Sequence, residues 1–222
     1  MLSERDWPAL IGVGIVGVLG GIASAELARR VPERSKDSLR LGSFRYIIGA
    51  LVGAVLLVAD VLWIKSGWLV IIVGLWMLVL EAVSLVDIEC YLLPKKIILP
   101  AIGGVEIALA LLALTEGKDS LIVGAIAGAV VGFTILLALW RITHGNLGFG
   151  DVRLGALCGA MEGFIGLDRV VIAIVIGFFV AAIVSLILIA LRRVTLKSTV
   201  PFGPFLALGA VVSVLAHPGV VR

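Results

Sequence analysis

Two aspartates, Asp87 and Asp151, are the residues whose type and position best suit chemistry. Each lies where a long apolar run meets a polar segment. Ionisable residues at membrane depth are costly, so each is a candidate for function. Two neighbouring carboxylates cannot both ionise readily, so a close pair shares one proton. Such a pair can deprotonate a bound water and protonate a leaving amine, which is the chemistry of aspartic proteolysis.

Two glycines just before Asp151 suit an active-site loop. Gly148 and Gly150 would let the backbone approach a substrate strand and adopt conformations that other residues avoid. A purely structural explanation also exists, because Asp is a favoured N-cap residue of helices. The residues around Asp151, taken alone, leave both explanations open.

Three further residues near the aspartates are accessory candidates. Arg153 would either reach lipid headgroups or steady the ionised aspartate. Pro94 is expected to keep the chain extended shortly after Asp87, because proline disfavours helix in the residue before it. His144 would tune the pair or contact a substrate, although an ordinary loop histidine explains it as well.

Four further acidic residues in or beside the apolar runs are considered as candidates. Glu26 is spaced to form an i,i+4 pair with Arg30. Asp60 is expected to be a solvated residue near the outer end of its run. Glu81 and Glu106 lie deeper, where they would pair with polar groups or stay protonated, and their role is open.

The amino-acid composition indicates that the segments carrying these residues lie in a membrane. Of the 222 residues, 61% are hydrophobic, against roughly 45–50% in soluble domains. The mean hydropathy is +1.22, so lipid must be the solvent for most of the chain. The basic residues fall in short loops, which argues against nucleic-acid binding. Cys90 and Cys158 form no CxxC pair, so neither a metal site nor a disulfide is predicted.

Apolar runs about 20 residues long are the expected membrane spans. Eight occur, and they predict an all-α fold, a polytopic membrane helix bundle of about eight transmembrane helices. No repeat or long linker divides residues 1–222, which we interpret as a single domain. The sixth run is short and glycine-rich. The runs cover residues 7–28, 46–64, 68–86, 97–114, 121–140, 152–166, 170–191 and 202–216.

The lysines and arginines predict the orientation, because cytoplasmic loops are enriched in them. If the spans alternate, thirteen of the 18 basic residues fall on one side and five on the other. The N-terminus is then outside, and the loops 29–45 and 141–151 are cytoplasmic. Both aspartates consequently lie at the cytoplasmic ends of their spans.

Small residues at four-residue spacing predict helix-packing seams. They occur in three of the apolar runs. The glycines concerned are Gly17 and Gly21; Gly124, Gly128 and Gly132; and Gly155, Gly159 and Gly163.

Four ordered segments resemble the type IV prepilin peptidases. Segment 148–154, GFGDVRL, resembles the GxGD motif of that family. Segment 87–94, DIECYLLP, is similar to its other aspartate motif, in which proline follows the Asp by seven positions. Segment 19–32 resembles its first span with the following Arg-x-Pro, and segment 201–207, PFGPFLA, resembles its last-span motif. The resemblance therefore covers nearly the whole chain.

The resemblance implies a membrane-embedded aspartic endopeptidase in the plasma (inner) membrane. It would cleave the short basic leader of prepilin-like or pseudopilin proteins at the cytoplasmic face, with Asp87 and Asp151 activating the water. The resemblance also implies that the leader of such substrates usually ends in Gly just before an apolar helix. This chemistry needs no metal or organic cofactor. The expected partners are the substrate and the lipid bilayer.

Two departures from the family pattern narrow this expectation. Lys95 stands where the family often has Asp or Asn. The loop 29–45 is short and has no cysteine, whereas many bacterial members carry there a domain with two CxxC pairs that is associated with N-methylation. Peptidase activity is therefore expected, and methyltransferase activity is not carried over.

Two alternatives from other functional classes stay open. Glu81 and Glu106 at membrane depth would suit a transporter, although transporters often contain repeats. A non-catalytic membrane component of a pilus or secretion assembly is the other alternative, and it would tolerate replacement of both aspartates.

Overall fold

The computed structural model describes residues 7–30, 41–64, 67–144, 147–193, 195 and 200–217. These residues form eight α-helices and no strand, and each helix covers one of the eight apolar runs. The predicted all-α bundle is thereby confirmed. Most of the loop 29–45 lies outside the described residues. The helices are α1 (Trp7–Arg29), α2 (Phe44–Trp63), α3 (Gly67–Cys90), α4 (Lys95–Glu116), α5 (Ser120–Ile142), α6 (Phe149–Ile165), α7 (Leu167–Ala190) and α8 (Gly203–Leu215).

Six of the eight helices are long and apolar enough to cross a membrane, namely α1 to α5 and α7. Helix α6 has 17 residues and α8 has 13, or roughly 25 and 20 Å at 1.5 Å per residue. Nearly every residue of α6 is buried. Because protein rather than lipid surrounds α6, its length is not set by the bilayer thickness. The chain is thus a multi-pass membrane protein whose central helix is short.

The first glycine seam joins α1 to α2. Gly17 and Gly21 face Gly49 and Gly53 so closely that a methyl group on any of the four would collide with the opposite backbone. Such close approach is the usual reason for small residues between membrane helices. The prediction for Gly17 and Gly21 is confirmed, and the partner glycines are on α2.

The second seam joins α5 to α6 and unites the other two predicted glycine sets. A side chain at Gly128 would lie 2.6 Å from the Cα of Gly163, and Gly124 and Gly132 face α6 in the same way. This seam places α6, and with it Asp151, against α5. Two sets that the sequence presented separately are therefore the two sides of one interface.

A hydrogen bond links α3 to α6, the helices that carry the two aspartates. The indole N–H of Trp76 donates to the backbone oxygen of Leu157 at 3.3 Å. Both groups are buried, so the bond is protected from competing water. Cys90 and Cys158 are buried in the same two helices.

The position of Asp60 corrects the expectation that this residue is solvated. Its exposed fraction is 1%, and it lies beside Gly74 of α3, whose lack of a side chain leaves room for the carboxyl. The packing of α2 on α3 buries Asp60, which its position near the end of a span would by itself leave in contact with water.

Glu26 forms the predicted pair with Arg30, at 3.0 Å. The same carboxylate also binds Arg29 at 2.7 Å and accepts the Tyr46 hydroxyl at 2.8 Å. The last contact joins α1 to α2 at the end of the bundle where α3 carries Asp87.

Candidate active site

Asp87 lies in the last turn of α3 and is held by the first turn of α8. Its exposed fraction is 5%, and its Oδ2 accepts the backbone N–H of Gly203 at 2.9 Å. The first N–H groups of a helix have no partner within the helix and favour negative charge. Helix α8 therefore fixes the orientation of the Asp87 carboxyl group.

Asp151 lies in the first turn of α6 and is anchored through one oxygen. Its Oδ2 accepts the Gly148 N–H at 3.1 Å, while its buried Oδ1 has no hydrogen-bond partner among the described residues. Gly148 is the N-cap residue of α6, three positions before Asp151. The alternative in which Asp151 is itself the N-cap is therefore wrong. The Asp151 carboxyl group does accept a backbone N–H at the start of α6, but this hydrogen bond occupies only one of its two oxygens.

The two carboxyl groups line one cleft with a volume of about 410 Å³. Of the other site candidates, Gly148, Gly150 and Arg153 also line this cleft. The structure therefore brings together five of the seven residues singled out in the sequence, while their roles stay predictions.

The two glycines serve close packing and not unusual backbone conformations. Gly148 has φ −69° and ψ 142°, which any residue adopts, and Gly150 lies within α6. A side chain on Gly150 would collide with Leu93, and one on Gly148 would lie 3.1 Å from Asp151 Oδ2. The expected conformational freedom is therefore not used, because the constraint is space around the carboxyl group and the segment before α4.

The accessory candidates are placed differently. The Arg153 guanidinium lies 4.8 Å from the ring centre of Phe149, which positions its charge at the cleft. Pro94 is buried and extended, with ψ 115°, and is the N-cap of α4, so it shapes the turn after α3 without lining the cleft. His144 is exposed and outside the cleft lining. His144 therefore does not take part in the cleft that holds the aspartate pair.

Three residues at the site were not among the site candidates of the sequence interpretation. Gly203 belongs to a segment noticed only for its resemblance, yet it donates the hydrogen bond to Asp87. Tyr91 lines the cleft with φ 53°, a left-handed conformation uncommon for residues other than glycine. Lys95 also lines the cleft. Lys95 was noticed as a departure from the family pattern, and Tyr91 and Gly203 only as members of segments that resemble the family.

A buried ion pair supports the helix end that carries Asp87. The Arg45 guanidinium lies 3.2 Å from the carboxylate of Glu89, and both side chains are almost fully buried. Arg45 is on α2 and Glu89 is two residues after Asp87, so the pair fixes α2 against the last turn of α3.

Known proteins of one family are similar to this chain. The model of the type IV leader peptidase family matches residues 71–191, a segment that includes both aspartates. The chain is 29% identical over 181 residues to the prepilin leader peptidase/N-methyltransferase of Aeromonas hydrophila, covering 81% of this chain and 61% of that protein. It is 34% identical over 131 residues to the Escherichia coli protein of the same name, covering 59% of this chain and 56% of the relative.

The chain spans about three-fifths of the length of the Aeromonas relative. A Bacillus subtilis protein with the same name is 26% identical over 142 residues, which are 63% of this chain and 53% of that protein. No solved structure matches the chain significantly. The match of the family model to more than half of the chain shows that this protein belongs to the type IV leader peptidase family.

Proposed function

We propose that this protein is a membrane-embedded aspartic endopeptidase that cleaves the leader peptide of prepilin-like proteins. The observation that carries the proposal is the single cleft onto which Asp87 and Asp151 both open. The family membership supports the peptide-cleaving activity. The names of the relatives support prepilins as the substrate class.

The anchoring of the aspartates suits a shared-proton mechanism. Each carboxyl group accepts one backbone N–H through Oδ2, which fixes both groups without occupying the second oxygen of Asp151. The ionised member takes a proton from water, and the resulting hydroxide attacks the peptide carbonyl carbon. The protonated member donates to the carbonyl oxygen. The aspartate that took the proton from water then gives it to the amine nitrogen as the C–N bond breaks, while the other aspartate takes a proton from a hydroxyl group of the intermediate, so the pair again holds one proton.

The cleavage is proposed to take place at the cytoplasmic face of the inner membrane. The end of α3 and the starts of α4, α6 and α8 meet at the cleft, and nine of the eleven basic residues in the described part of the chain lie at this end of the helices. Since cytoplasmic loops are rich in Lys and Arg, the N-terminus is then outside. Residues 1–222 act as one domain, and N-methylation is not part of the proposal.

The test is co-expression of the protein with a prepilin-like substrate, with the mass of the substrate as the readout. The wild type removes the leader, whereas Asp87→Ala and Asp151→Ala leave it in place. Asp60→Ala is the matched control, because it removes an equally buried aspartate outside the cleft. Leader removal by either cleft variant would contradict the proposal. The same spectra show whether a methyl group is also added.

A further inference from the structure

A long apolar groove lies beside the cleft. It has a volume of about 390 Å³ and is formed by α2, α3, α7 and α8. On α3 its floor is a stripe at helical spacing, made by Met77, Glu81, Ser84 and Ile88. Residues Val52 of α2 and Leu208 of α8 line it and are 39% and 46% exposed, so the groove opens toward lipid at the side of the bundle.

Glu81 is the unexplained group in this groove. It is 5% exposed, and neither of its carboxyl oxygens has a hydrogen-bond partner within the described part of the chain. By contrast, another buried acid, Glu162 of α6, does have a partner, because it accepts the Ser213 hydroxyl at 2.9 Å. A buried polar group without a partner costs free energy, and an acid inside a membrane protein is a default candidate for function. Glu81 is thus an unused acceptor that faces an otherwise apolar groove.

The groove begins where the cleft ends. Ile88 and Pro204 line the groove, and each directly follows one partner of the hydrogen bond between Asp87 and Gly203. From Ile88 back to Met77 the groove follows α3 for ~16 Å, the length of about eleven helical residues. A peptide bound across the aspartates can therefore continue into the groove as a helix.

We propose that the groove binds the apolar helix that follows the cleaved bond of the substrate, and that Glu81 selects helices carrying a hydrogen-bond donor. The donor would be the hydroxyl or amide of Ser, Thr, Asn or Gln. Because Glu81 precedes Asp87 by six residues, or ~9 Å of helix, the donor lies about six residues after the cleaved bond. This inference rests on the proposed function. A lipid chain is a poorer occupant, because it offers no donor to Glu81.

The first experiment compares two substrates in liposomes that differ only at the sixth residue after the cleaved bond, Asn in one and Leu in the other. The wild type cleaves the Asn substrate between about three and ten times more efficiently, the range expected for one interhelical hydrogen bond. Glu81→Leu loses this preference, and Glu81→Gln, which retains an acceptor oxygen, keeps it. Glu106→Leu, at another acid of a spanning helix outside the groove, is the matched control and keeps the preference.

The outcomes separate the two proposals. Cleavage of both substrates without a preference, or a preference that survives Glu81→Leu, overturns the role of Glu81 and leaves the peptidase intact. Absence of any cleavage by the wild type overturns both.

The second experiment identifies the occupant by disulfide cross-linking in the Asp151→Ala background, which keeps the substrate uncut. Val52→Cys places a thiol in the groove, and Leu51→Cys places one on the neighbouring exposed face outside it. A cysteine near the sixth position of the substrate helix cross-links to the first and not to the second. Equal cross-linking to both, or a Val52→Cys homodimer in place of the substrate adduct, would overturn the proposal.

Discussion

Gly203→Ala tests how the orientation of Asp87 supports catalysis. The backbone of Gly203 is helical and has no positive φ, so alanine adopts it without strain. The obstacle is space, because a methyl group there would lie 2.9 Å from Asp87 Oδ2 and 3.1 Å from Leu93 Cδ2. The Asp87 carboxyl group must therefore turn away, and its hydrogen bond from the Gly203 N–H is lost or lengthened.

The expected loss follows from the strength of that bond. A hydrogen bond to a charged group contributes about 1.5–3 kcal/mol. If this contribution orients the carboxyl group in the transition state, kcat falls by roughly 10- to 100-fold. Alanine favours helix by about 1 kcal/mol over glycine, so the melting temperature should change little. The variant thus separates orientation of the aspartate from stability of the fold.

The measurement is the rate of leader cleavage by purified protein, together with its melting temperature in the same detergent. Gly104→Ala is the matched control, because a side chain at Gly104 meets nothing within 4 Å, and it should retain full activity. Full activity of Gly203→Ala would refute the reasoning that α8 orients Asp87. A parallel fall in activity and melting temperature would show a structural role only.

Two further predictions concern the packing that supports the site. Gly128→Ala places a methyl group 2.6 Å from the Cα of Gly163, so it should lower the stability measured by thermal unfolding by about 1–3 kcal/mol; an effect no larger than that of Gly104→Ala would contradict this. Arg45→Met should destabilise the protein by about 3–5 kcal/mol, because it leaves the Glu89 charge buried, and the double variant with Glu89→Met should recover most of the loss. Additive losses in chemical unfolding would show that the two residues are not coupled.

The helices were predictable from the sequence because the bilayer sets a length that apolar runs reveal. The glycine seams were predictable as faces, since close approach requires small residues at four-residue spacing. Which faces meet was not predictable, because the sequence does not show that Gly128 and Gly159 belong to one interface. The length of α6 could not be predicted from the bilayer thickness, because a helix enclosed by protein need not match the bilayer.

The candidate site was predictable in its aspartates and not in what holds them. The alternation of the apolar runs predicted that Asp87 and Asp151 lie at the same end of the bundle, where both line one cleft. The bond from Gly203 to Asp87 joins positions 116 residues apart, and no local pattern predicts it. The burial of Asp60 was missed in the same way, because it depends on the space left by Gly74 of another helix.

The most direct test of the central claim uses purified protein in liposomes and a prepilin-like substrate. The variants Asp87→Asn and Asp151→Asn keep the shape of each side chain and remove its acid group. We expect the wild type to release the leader, identified by mass, and each variant to release none while unfolding at the temperature of the wild type. Leader release by either folded variant would contradict the assignment of the two aspartates as the catalytic pair.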